Sequence, residues 1–67
     1  MIRDIRKLAK AVPFKTFNIR LSDGERIIVS DANSIAVAPE GDRIVVFTDD
    51  GEFHLVNVAQ VTELVVS

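Results

Sequence analysis

Few side chains in this 67-residue chain have chemistry beyond folding. The single histidine, His54, stands between Phe53 and Leu55. In a strand it points away from both. With no sequence neighbour suited to trade protons with it, it reads as a surface or half-buried side chain rather than a general base. Asp49, Asp50 and Glu52 gather three carboxylates around Gly51. The run lacks the spaced oxygen ligands of a calcium loop and suits a solvated turn. Ser22, Ser30 and Ser34 have no base nearby, and turn or cap roles account for them. The absence of Cys excludes disulfides and thiolate metal sites, and one His argues against an all-protein zinc site. No enzyme activity, metal or cofactor is expected.

The one constellation with a use is basic. Arg3, Arg6, Lys7 and Lys10 recur at i, i+3, i+4 and i+7, which places them in one stripe on a helix. Such a stripe suits phosphates, an acidic protein surface or the acidic part of a neighbouring subunit. It is equally the solvated face of a docked helix. These four residues are the candidate partner-binding surface. A reader of single-stranded nucleic acid also needs exposed aromatics for stacking. Of the four Phe, Phe17, Phe47 and Phe53 are readily spent on a core. Phe14, of opposite parity to Phe17, is expected to be buried at the helix–strand joint.

Overall charge does not favour a generic polyanion binder, since the net charge is −2 and the pI about 5.1. Its distribution is uneven. Residues 1–26 hold seven Lys and Arg against three acids, and residues 27–67 hold one against seven. This asymmetry predicts a basic and an acidic face if the fold keeps the segments apart.

The elements that must carry these residues follow from periodicity. Ile2, Ile5, Leu8, Ala9 and Val12 recur at helical spacing, which predicts an amphipathic helix over 2–11, stopped by Pro13. From Phe14 onward the period is two. Phe17, Ile19 and Leu21 face one way, and Ile27 and Val29 return on the same side after Asp23-Gly24. "SDANS" (30–34) reads as a polar turn, followed by a short strand at 35–38. "PEGD" (39–42) is a turn, Arg43–Thr48 a strand, "DDG" (49–51) a second hairpin signal and Glu52–Asn57 its return. Residues 58–60 fit one 3₁₀ turn, and Val61–Val66 is the last strand. The result is one domain over 1–67, with a helix and then a small antiparallel barrel of five or six short strands over 14–66.

Several strands are apolar on both faces, among them Ile27-Ile28-Val29 and Ile44-Val45-Val46-Phe47. One barrel interior uses only alternate residues. A chain of this size with 48% hydrophobic residues and a mean hydropathy of +0.25 is therefore expected to be a homo-oligomer. No apolar run is long enough to span a membrane, and the charged N-terminal residues leave no signal-like stretch. A cytoplasmic location is expected.

Helix, "FNIRLSDGERIIV" and a return through "FHLVNVAQVTELVV" resemble the layout of Sm-like barrels. Asn18–Gly24 matches that family's apolar-x-Leu-x-Asn/Asp-Gly signature, with Asp31 and Asn33 or Ser34 roughly where it places Asp and Asn. The resemblance implies an SH3-like or Sm-like barrel that assembles into oligomers. Two departures weigh against the family's RNA pocket. No Gly bends the chain between Glu25 and Pro39, and Val56-Asn57-Val58-Ala59 stands where a basic motif is expected. A closer resemblance, through Pro13, Phe14, Phe17, Ile19, Leu21, Asp23 and Gly24, is to short bacterial proteins with a Pro-Phe-x-x-Phe-x-Ile-x-Leu-x-Asp-Gly pattern. Those often carry His-Pro where this chain has Asp31-Ala32. That likeness carries no activity. The expectation is a non-enzymatic, oligomeric binding module. The alternative is an Sm-like RNA-binding protein that uses the basic helix.

Overall fold

A computed structural model describes residues Met1–Ser67. The chain forms one helix, α1 (Ile2–Ala9), and six strands: β1 (Phe17–Leu21), β2 (Arg26–Val29), β3 (Ile35–Val37), β4 (Arg43–Phe47), β5 (Phe53–Asn57) and β6 (Val61–Val66). All strand pairs are antiparallel, in two three-stranded sheets of order β2-β1-β6 and β3-β4-β5. This corrects the expected closed barrel. The chain passes between sheets through two 3₁₀ turns, Ala32–Ser34 and Val58–Gln60, and neither β2–β3 nor β5–β6 forms a ladder. At the first passage the Asp31 carboxylate accepts the Asn33 N–H at 2.8 Å, offering the backbone a local partner in place of a continuing strand.

Period-two alternation builds the core. Phe17 and Ile19 of β1, Ile27 and Val29 of β2, Ile44 and Val46 of β4, Val56 of β5 and Val61 of β6 are buried together. Ile5 of α1 joins them with no exposed surface. Docking of that one side chain, flanked by half-buried Ile2 and Leu8, holds a helix too short to persist alone. The helix ends at Ala9, two residues before the expected limit. The Lys10 N–H still bonds the Arg6 carbonyl at 3.1 Å, but its φ of −102° and ψ of 1° close the last turn. Phe14 is half-buried, with its ring centroid 6.0 Å from that of Phe17, so it packs on the core as expected.

The hairpins at Asp23-Gly24 and Asp49–Gly51 share one design. Leu21 N–H donates to the Glu25 carbonyl, and Thr48 N–H to the Glu52 carbonyl, each at 2.9 Å, so each loop has three residues rather than two. Only the glycine takes a positive φ, 91° at Gly24 and 86° at Gly51. Asp23 and Asp50 each accept the N–H of the glutamate two residues on, which fixes the turn before the return strand.

Candidate interaction surface

The basic stripe divides once the helix is docked. On α1, Arg6 lies at the edge of the stripe nearest Ile2 and Ala9, which face the protein. Its guanidinium donates to the carbonyls of Ala38 at 3.5 Å and Pro39 at 3.3 Å, in the turn joining β3 to β4. Arg6 is half-buried, and the stem of Ile2 fills the same space against Gly41. It straps that turn to the helix, and its donors are partly spent. Arg3, Lys7 and Lys10 are exposed and form no ion pair or side-chain hydrogen bond. Three of the four sequence-predicted cations therefore remain free on one face. Nothing in the sequence pattern distinguished Arg6, whose partners lie 32 and 33 residues away.

Basic and acidic segments interleave rather than segregate. Because β1 pairs with β6, Arg20 meets Glu63 at 3.3 Å, with both side chains about half exposed. Such a pair contributes little to stability. Arg26 lines an open cleft with Ser30, Thr48, Asp49, Asp50 and His54, where the β4–β5 tip reaches β2. Ser30 donates to Asp49 at 3.3 Å across that gap. Thr48 donates to the Asp50 carboxylate, which, with the Glu52 N–H, holds Asp50 below the ordinary aspartate range. His54 is half-buried on the same sheet face as Val46 and Val56, opposite in sense to Phe53 and Leu55, as alternation requires. No group of three or more His, Cys, Asp or Glu side chains gathers in a geometry for a metal ion.

A second surface is apolar. On the outer face of β3-β4-β5, Phe47 lies opposite Phe53, and Ala36, Val45 and Leu55 form the next row. The two rings are 6.3 Å apart and tilted by 47°, a stabilising cross-strand aromatic arrangement. Phe53 is 67%, Leu55 62% and Phe47 52% exposed. Two of the three Phe expected in the core are thus on the surface. The period-two pattern would have shown this, since Phe47 and Phe53 have the parity opposite to Ile44, Val46 and Val56. At ~200 Å² per aromatic ring and somewhat less for leucine, these exposures give a patch of roughly 350 Å², the scale of the largest patch on a typical monomer. No helix is long and apolar enough to cross a membrane. No family model, curated protein or solved structure matches this chain.

Proposed function

We propose that this protein is a non-catalytic interaction module, related to SH3-like and Sm-like small barrels, that works as a homo-oligomer. The exposed apolar face of β3-β4-β5 carries the reading: Phe47, Phe53 and Leu55 lie side by side there, with no charge between them. Water contact with such a face is costly, and covering it with another protein surface removes the cost. The helix that could have shielded a second face instead has its apolar side on the core through Ile5. The N-terminal helix followed by short antiparallel strands, with a hairpin turn at Asp23-Gly24, supports that relation. Sedimentation equilibrium at rising concentration tests the assembly. The expected result is a mass above that of one 7.4 kDa chain, and a monomer throughout would overturn the proposal.

A second reading rests on Arg3, Lys7 and Lys10, which are uncovered on one helix face. It makes the helix a phosphate-contacting surface for RNA. Three contacts per subunit give a log–log salt slope of roughly −2 for single strands. Titration of labelled single-stranded RNA at low salt measures it, and absence of binding there removes this reading.

A further inference from the structure

The four sheet edges are not equivalent. The β3 edge has only three residues, and Arg6 caps the carbonyls of the turn that follows it. The four-residue β2 edge carries Arg26 and meets the β4–β5 tip through Ser30. On β6, Glu63 points outward, a register shift interrupts the ladder with β1, and Leu64 and Val66 lie beside Leu8 of α1. Charges, irregularities, short length and covering elements are the devices that stop an edge from pairing. The five-residue β5 edge, Phe53–Asn57, has none of them.

The free hydrogen-bonding groups of β5 can be assigned. Thr48 N–H donates to the Glu52 carbonyl and Val58 N–H to the Asp42 carbonyl, each at 2.9 Å. Antiparallel alternation between these two bonds turns the backbone groups of His54 and Val56 toward β4, and those of Phe53, Leu55 and Asn57 toward the open edge. Phe53 and Leu55 also carry the most exposed large side chains of the sheet.

We infer that two copies of this chain pair antiparallel through β5, with Leu55 on the two-fold axis, joining their sheets into one of six strands. Leu55 bonds its counterpart reciprocally, and Phe53 stands opposite Asn57 of the second copy. Only this register overlaps all five residues of both strands and keeps the outward-facing backbone groups matched. Charge agrees with it. Asp49, Asp50 and Glu52 crowd the hairpin end of β5, and Arg43, the β4 neighbour of Asn57, lies at the other end. Antiparallel pairing brings each acidic tip toward the other copy's Arg43. That guanidinium has only Asp42 within reach, at 3.9 Å, with both side chains more than half exposed. Pairing edge to edge buries the two β5 backbones and the flanks of Phe53 and Leu55 but leaves the outer sheet face open, which is well short of the ~800 Å² per partner of a standard stable interface, so the dimer is weak and depends on concentration.

The inference rests on the oligomeric reading above. Sedimentation from about 10 μM to about 1 mM covers the range of weak association. A species of two chains is expected, and Leu55→Lys should weaken it about a hundredfold, because like charges are then juxtaposed across the axis. Leu55 is exposed, so circular dichroism and the thermal midpoint of the variant should stay near those of the parent. Independently, Leu55→Cys places two sulfurs on residues about 5.5 Å apart at Cα, within disulfide reach, in a chain with no other cysteine. Mild oxidation should trap a covalent dimer. A monomer at every concentration overturns both this interface and the oligomeric reading. An oligomer indifferent to Leu55→Lys, or a disulfide formed only between Leu55→Cys and Val65→Cys chains, overturns this interface alone.

Discussion

Arg6 separates a structural cation from its neighbours in a way that stability measurements resolve. Arg6→Gln removes two charge-assisted contacts, to Ala38 at 3.5 Å and Pro39 at 3.3 Å, and withdraws the guanidinium that lies beside Gly41. Buried hydrogen bonds to charged groups are worth about 1.5–3 kcal/mol. Both bonds here are long, and one is exposed, which places the expected loss near 1 kcal/mol. Lys7→Gln and Lys10→Gln lose no partner, so each should stay within about 0.5 kcal/mol. For a domain of this length, 1 kcal/mol lowers the thermal midpoint by about 4–8 °C. Urea unfolding followed by circular dichroism measures the difference, with the slope unchanged if the native state stays compact. The effect should also be local, loosening amide protection around Ala38–Gly41 before that of β1. If Arg6→Gln and Lys7→Gln are equally stable, the strap contributes nothing and the reasoning fails.

Ile5→Ala removes the only fully buried helix side chain and should cost about 2–5 kcal/mol, against a total of roughly 3–10 kcal/mol for a domain of this length, so its thermal midpoint by circular dichroism should fall by at least about 8 °C. The Asp50 carboxyl has its folded pKa lowered, by the Thr48 hydroxyl first and the Glu52 N–H second. Its contribution is therefore present above the ordinary aspartate value of 3.8 and is lost as pH falls through the folded value. Thr48→Val should flatten the acid end of the stability profile without changing the plateau slope near neutrality, and an unchanged acid limb in urea titrations would refute the assignment.

Much of the fold was legible because its rules are local. Gly24 and Gly51 mark the two hairpins because each takes the positive φ its loop needs, and the aspartates before them accept the bonds that close each turn. The inward set Phe17, Ile19, Ile27 and Val29 follows from parity alone. What stayed hidden depends on distant pairing. Pro13 bars helix at Val12 but does not show that Lys10 already closes the last turn. The ladder fails between β2 and β3 because Asp31 engages the Asn33 N–H, a choice between two local solutions that composition does not decide. Arg6 reads like Lys7 until the β3–β4 turn arrives beside it. Charge asymmetry along the chain likewise did not reveal that the first strand pairs with the last and sets Arg20 against Glu63.

The apolar strands that suggested assembly have different fates on the two sheets, and the difference argues for where assembly occurs. On the β2-β1-β6 sheet the outer row through Ile28 and Val65 is interrupted by Asn18, and the next row is Arg26, Arg20 and Glu63. Water meets a polar group at every second position there, so no continuous apolar surface forms. On β3-β4-β5 the rows Ala36-Val45-Leu55 and Phe47-Phe53 are adjacent and unbroken, with polar residues only at the ends, Arg43 and Asn57 on one side and Asp49–Glu52 on the other. Hydrophobic association scales with contiguous area, whereas an isolated exposed Ile or Val is ordinary on a protein surface. The sheet with the unprotected edge is thus also the sheet with the continuous patch. Backbone pairing there costs no buried charge, and the flanking charges favour the antiparallel sense over the parallel one, which would set acidic tip against acidic tip.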